Sequence, residues 1–382
     1  MRRSSHTLHT VRAGNRKSRS SGAARQPGAG DGKASETGEG EGREFDRIDW
    51  IRRQPAVPGA KKLLLAVGDD AAAWRPRAGH SVVLSVDTQV DGIHFRRDWM
   101  SLREIGRRAV AASVSDLAAM GATPACVLLA LVLEKGTTTA RFRQLFRGLE
   151  EGAAACGAAI AGGNLATGPL SITVTAVGEC PPNQLLRRSG SRAGDEVWVT
   201  GSPGLAGLGC EALEKQCLRQ AGLRRQDASA IRRAVRGYKA PQARVAEAQW
   251  LARRWRPHAM VDISDGLVAD LGHLVDSNSA QARIPLGAEL EEEALATLPH
   301  LAQVAALLNH SPADVLARAS DDYELCFTVP AAAATARRAA AFRGAFDVPL
   351  TRIGRVVKTP GVRLLRTGRP AQKLTGGGWK HR

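Results

Sequence analysis

The chain has 382 residues, 43% hydrophobic and 24% charged, with a formal net charge of +17. This suits about two globular domains and excludes a membrane-spanning helix, because no stretch approaches the ~18 uninterrupted apolar residues that one needs. The six cysteines (Cys126, Cys156, Cys180, Cys210, Cys217, Cys326) are scattered, with no CxxC pair and no zinc-spaced histidines, as expected of buried thiols in a reducing, cytoplasmic setting.

Residues 1–44 are rich in Arg, Ser and Gly, and the first 30 contain no Asp or Glu. Such a segment predicts a disordered basic tail. A transit peptide or a nucleic-acid-binding arm has a similar composition, but this tail has no aromatic side chain to stack on bases and no amphipathic period, so a passive extension is expected. LLLAV (63–67) and VVLSV (82–86) are apolar and β-branched, as buried strands are. SLREIGRRAVAASVSDLAAMGA (101–122) predicts two helical pieces interrupted near 113–116. A strand at CVLLALVLE (126–134), a helix within 138–157 and an alternating strand SITVTAVGE (171–179) follow. PPNQ (181–184) breaks the chain, which places one domain at 45–181 and a second at 182–382. The second opens with DEVWVTGSPG (195–204), runs through Ala/Arg-rich helices to VDISDGLVADLGHL (261–274), and ends with a strand at 324–330, a helix and hairpin-like segments. The pattern predicts two domains of α/β and α+β type.

Carboxylates recur where apolar runs end: Asp69 and Asp70 after LLLAV, Asp87 after VVLSV, Asp116 after AVAASV, and Asp262 and Asp265 after HAMV, with the amide Asn164 after AAIAGG. Ser264 or Asp265 alone reads more simply as a helix N-cap. Repetition on five elements instead suggests convergence on one sheet edge, where α/β folds bind ligands. Gathered carboxylates repel unless a cation neutralises them, and hard oxygen ligands select Mg²⁺, which in turn implies phosphate. There is no P-loop motif, and GSPGLAG (201–207) does not match G-x-G-x-x-G.

The stretches GDDAAAW (68–74), SVDTQVDGIHF (85–95), SDLAAMGATP (115–124), GPLSITVTAVGE (168–179), RSGSRAGD (188–195), VDISDGLVADLGHL (261–274) and DDYELCFTVP (321–330) carry a family resemblance. Together they resemble the thiamine-monophosphate kinases of the aminoimidazole-ribonucleotide-synthetase-like superfamily, in family order from about residue 45 onward. The resemblance implies a two-domain architecture, with an N-terminal sheet-forming domain and a C-terminal α/β domain. It implies phosphorylation of thiamine monophosphate to thiamine diphosphate by ATP, by direct in-line transfer with several Mg²⁺ ions. It also implies a homodimer formed through the first domain's sheet, with no membrane and no nucleic-acid partner.

By motif, the implied metal ligands are Asp70, Ser85, Asp87, Asp116, Asn164, Asp262 and Asp265, and the ATP contacts are Gly163, Arg188 and Ser264. No catalytic group is implied apart from the metal ligands. His94, Asp321 and Trp379 are the implied substrate contacts, although a loop histidine and a lone tryptophan also read as ordinary surface and packing residues. An aromatic ring and a carboxylate suit a cationic thiazolium.

Three departures stand out. GGNLATG (162–168) places Asn164 where the family carries Asp, ASDDYEL (319–325) places Asp321 where it carries Glu, and GWKHR (378–382) replaces GYDHF. Selenide- and formylglycinamidine-type relatives and a hydrogenase-maturation branch share the architecture. The selenide type calls for a cysteine near the start of the core and the hydrogenase-maturation branch for one at the extreme C-terminus, and neither cysteine is present. The alternative is a nucleotide-binding relative with altered catalysis that acts on another small substrate.

Overall fold

The computed structural model describes residues 44–54, 63–219, 222–282, 285–334 and 336–378. The expected tail, apart from Glu44, and Trp379 lie outside the described residues. The described residues fall in one compact unit. The first half runs α1 (Glu44–Arg52), β1 (Leu63–Leu65), β2 (Ala73–Trp74), β3 (Ser81–Val90), α2 (Leu102–Ala119), β4 (Thr123–Leu133), α3 (Thr139–Ala155), β5 (Ala159–Thr167) and β6 (Ser171–Cys180). β3, β6, β4 and β5 form a four-stranded sheet in that order, antiparallel except for the β4–β5 pair.

Alternation along these strands separates the sheet's two faces. Val83, Leu129, Leu131, Ile172 and Val174 are buried on one face beneath α2 and α3. On the other, Val82, Leu84, Val86 and Leu128 stay exposed, Leu84 by 65% and Val86 by 64%, which is unusual for such large apolar side chains in a strand.

α2 is one continuous helix, which corrects the expected interruption near 113–116. Serines interrupt helices when their hydroxyls compete for local backbone. Here the hydroxyls are engaged elsewhere: Ser113 Oγ donates to Val174 O (2.9 Å) and Ser115 Oγ to Asp262 Oδ2 (2.7 Å). The helix starts at a capping box in which Ser101 Oγ accepts from Glu104 N (3.2 Å) and Glu104 Oε2 accepts from Ser101 N (2.8 Å). Such a cap contributes about 1 kcal/mol.

The second half comprises β7 (Asp195–Thr200), α4 (Leu205–Glu214), α5 (Arg225–Lys239), α6 (Val245–Arg254), β8 (Ala259–Ile263), α7 (Leu267–Ala282), β9 (Gly287–Glu291), α8 (Glu292–Ala296), α9 (Leu301–Leu307), α10 (Pro312–Leu316), β10 (Glu324–Pro330), α11 (Ala336–Ala345), β11 (Leu350–Val357), β12 (Gly361–Arg366) and β13 (Arg369–Lys373). Its seven strands lie in the order β13-β12-β9-β11-β7-β10-β8, all antiparallel except β12 with β9. One face buries Val197, Val261, Ile263, Leu271 and Leu274. The other buries Trp198, Trp255, Phe327 and Phe342, with the Trp198 and Trp255 rings edge to face at 5.1 Å. All four strands of the first sheet come from before Pro181, where β1 and β2 pair separately, and all seven of the second come from after it. α2 packs against both halves, since it also touches α6 and β8. No helix among the described residues is long and apolar enough to cross a membrane.

Three of the acids do not sit where apolar runs end. Asp87 lies inside β3, Asp116 in the last turns of α2, and Asp262 inside β8, while Asn164 is in the middle of β5. Each run continues in regular structure beyond its polar residue, because the backbone on either side is held by the sheet or the helix.

Candidate active site

A cavity of about 510 Å³ opens where β3, α2 and the loops after β8 and before β10 meet. Asp87, His94, Asp116, Asp262, Ser264, Asp265, Asp321 and Tyr323 line it. β3 delivers Asp87, whose Oδ1 accepts from Thr88 N (3.0 Å). α2 delivers Asp116, which accepts the Ser85 hydroxyl through Oδ2. An acid in the last turn of a helix faces the negative end of the helix dipole, an unfavourable placement that a cation alongside would reverse. The α2 last turn carries no basic residue.

Burial and the charge of Asp116 raise the proton affinity of two of its neighbours. Burial, followed by the charge of Asp116, pushes Asp262 up to about 7, and the same two causes raise Asp87. Carboxylates in this state are poised to exchange protons for a cation. Asp270, which the sequence reading missed, organises the 264–266 loop. Its Oδ2 accepts from the N–H groups of Ser264 (3.0 Å), Asp265 (3.0 Å) and Gly266 (3.1 Å). Of the amides that a cap at Ser264 would serve, that of Gly266 is therefore already held from inside the first turn of α7. Burial, then Asp262 and Asp265, raises Asp270 to about 7. Its signal was the acid five residues beyond Asp265.

These shifts give a pH dependence. The fold favours the neutral acids, so the stability they contribute is fully present below the unfolded value near 3.8 and is lost as pH rises to about 7. Protein in metal-free buffer is expected to melt at a lower temperature at about pH 8 than at about pH 5.5, and Asp262→Asn to flatten the difference. Equal melting temperatures in wild type at the two pH values would contradict the burial assigned to these groups.

His94 sits in the turn after β3, and its Nδ1 accepts from Val90 N (3.1 Å). Asp321 Oδ2 lies 2.8 Å from Arg108 Nη2. A second cavity, of about 200 Å³, shares Ser264 and Asp321 with the first and is also lined by Cys210, Glu211, Glu214 and Tyr238.

Other sequence candidates stand apart from this cavity. Asp70 is exposed, and its backbone N–H is held by Asp69 Oδ1 (2.9 Å). Gly163 and Asn164 are exposed on β5, three strand spacings from β3, roughly 14 Å. Gly163 has φ +152°, and a Cβ there would stand 1.8 Å from Leu129 O of β4, so its glycine requirement comes from the neighbouring strand. Arg188 is exposed, and its charge acts on Asp262 in the direction opposite to burial.

The N-terminal domain model of AIR synthase related proteins matches residues 68–180, and the C-terminal domain model matches residues 192–366. Thiamine-monophosphate kinase of Escherichia coli K12 is 33% identical over 316 residues, covering 82% of this chain and 85% of that protein. The crystal structure of thiamine-monophosphate kinase from Stenotrophomonas maltophilia superimposes with a TM-score of 0.68 at 33% identity, covering 84% of this chain and 95% of the other. AaThiL complexed with AMPPCP and TMP superimposes with a TM-score of 0.66 at 26% identity, covering 89% and 97%. The chain belongs to the AIR synthase related proteins, within the thiamine-monophosphate kinase family.

Proposed function

We propose that this protein transfers the γ-phosphoryl group of ATP directly to thiamine monophosphate, giving thiamine diphosphate and ADP. The observation that carries this reading is the single cavity in which Asp87, Asp116, Asp262 and Asp265 share walls with His94 and Asp321. The family membership supplies the reaction class.

Asp87, Asp116, Asp262 and Asp265 would hold Mg²⁺ on nucleotide phosphates. The raised proton affinity of Asp87 and Asp262 and the dipole-opposed Asp116 suit a hard cation. Among the described residues no three acidic, His or Cys side chains are spaced to hold one ion alone. That fits an ion that completes its shell with water and phosphate oxygens. Bound there, Mg²⁺ supplies neutralisation of phosphate charge. The chain's own groups align the reactants: the 264–266 loop, held by Asp270, presents Ser264 toward the nucleotide, and His94 and Asp321 hold the acceptor.

In this reading Arg188 donates to ATP phosphate. Asp70, Ser85, Gly163 and Asn164 extend the nucleotide side, and Trp379 extends the substrate side. The protein acts in the reducing cytoplasm as a homodimer formed through the outer face of the four-stranded sheet. The exposed Val82, Leu84, Val86 and Leu128 support that interface. A light-scattering mass of one chain at micromolar concentration would contradict it.

ADP release that requires both thiamine monophosphate and Mg²⁺ tests the reading, and ATP hydrolysis indifferent to the acceptor would contradict it. Asn164→Asp is expected to lower the Mg²⁺ concentration giving half-maximal rate by roughly threefold or more, because a charged carboxylate oxygen binds the ion more tightly than a neutral amide oxygen. An unchanged Mg²⁺ titration would remove residue 164 from the ligand set.

A further inference from the structure

The sequence reading attached no role to Arg108, one of many arginines in the chain. In the structure it is 1% exposed on α2. Its guanidinium lies 4.6 Å from the Tyr238 ring centroid and 5.8 Å from that of Tyr323. Nη1 donates to Tyr238 O (2.6 Å), and Nη2 forms the ion pair with Asp321 Oδ2 at 2.8 Å. A guanidinium is kept this dry only where a fixed partner repays its desolvation. The partner here is the acid proposed to meet the substrate.

Arg108, Ala112 and Asp116 follow one another at i, i+4 and i+8 on α2, and so share a face of the helix. Ala112 and Asp116 line the 510 Å³ cavity. At 1.5 Å of rise per residue, Arg108 and Asp116 are about 12 Å apart along the axis. One rigid helix thus carries the metal-side Asp116 at one end and the anchor of Asp321 two turns away. Asp321 belongs to the loop before β10, in the other half of the chain, and is one methylene shorter than the Glu of the resembling family. The long, forked arginine spans the distance.

We propose that Arg108 is a positioning residue for the acceptor substrate. It fixes Asp321 at a set distance from Asp116 and balances its charge from behind. Thiamine monophosphate is then read by an oriented acceptor oxygen, Oδ1, which the Tyr323 hydroxyl approaches at 3.5 Å, more than by net negative charge. This inference rests on the function proposed above.

The test is steady-state kinetics of Arg108→Met, Arg108→Lys, Asp321→Asn and the double variant Arg108→Met/Asp321→Asn, with melting temperatures alongside. Arg108→Met is expected to raise KM for thiamine monophosphate roughly tenfold or more while KM for ATP stays within about twofold. The double variant should be no worse than the weaker single variant, because both remove one interaction. Arg108→Lys should be intermediate and be rescued by Asp321→Glu, whose extra methylene meets the shorter cation. If Arg108→Met does not fold, this Lys/Glu pair decides alone. Equal rises in both KM values, additive effects in the double variant, or no rescue by Asp321→Glu would overturn the proposal. If wild type makes no thiamine diphosphate, the functional reading fails. Binding of thiamine monophosphate by wild type against Arg108→Lys, measured by calorimetry, then still decides the role of Arg108: equal affinities would overturn it.

Discussion

Asp116→Asn is expected to lower turnover by roughly three orders of magnitude while leaving the fold intact. The side chain sits at the centre of the acid cluster, receiving the Ser85 hydroxyl and raising the proton affinity of both Asp87 and Asp262. Neutralising it relieves that repulsion in the metal-free protein, so the melting temperature without Mg²⁺ should hold or rise. Under the proposed function it also removes a cation ligand, so stabilisation by Mg²⁺ with AMPPCP should shrink. Rates and thermal shifts measured on the same preparation separate the two effects. Near-wild-type turnover would withdraw Asp116 from the metal-ligand set and weaken the case for Asp262 beside it.

The second large effect is on stability. Gly163→Ala should destabilise the protein by about 2–4 kcal/mol, combining left-handed backbone strain with a steric clash that pushes β5 away from β4. The offending contact is with Leu129 O, at 1.8 Å from the new Cβ, and a backbone carbonyl in a paired strand has no rotamer to move to. Denaturant midpoints of variant and wild type measure the difference. A change below about 0.5 kcal/mol would mean that β5 can leave this geometry freely.

The strands were legible because apolar alternation and β-branched runs are local properties. β3, β4, β6, β7 and β10 fall where the pattern places them. The acids Asp87, Asp116, Asp262 and Asp265 were legible as a set, because several carboxylates beside apolar runs have few bland explanations. What the pattern could not carry were contacts across long sequence separations. Ser115 reaches Asp262 over 147 positions, and this partner is what allows the serine to stay inside a helix. The Arg108–Asp321 pair spans a similar gulf, and nothing local distinguishes Arg108 from the solvent-facing arginines around it. The 261–274 segment shows the same limit at short range. Its carboxylates suggested a cap at Ser264 or Asp265, yet Asp270 reaches back from within α7 to hold the loop's amides. The amides of residues 264–266 are thus satisfied without the Ser264 or Asp265 side chain.

The most direct test is chromatographic separation of products after incubating the full chain with ATP, Mg²⁺ and thiamine monophosphate. The account predicts thiamine diphosphate and ADP in equal amounts, and none when Mg²⁺ is chelated. ADP without thiamine diphosphate, or no product from protein that still binds AMPPCP, would contradict it and point to a different acceptor or a silent nucleotide-binding relative.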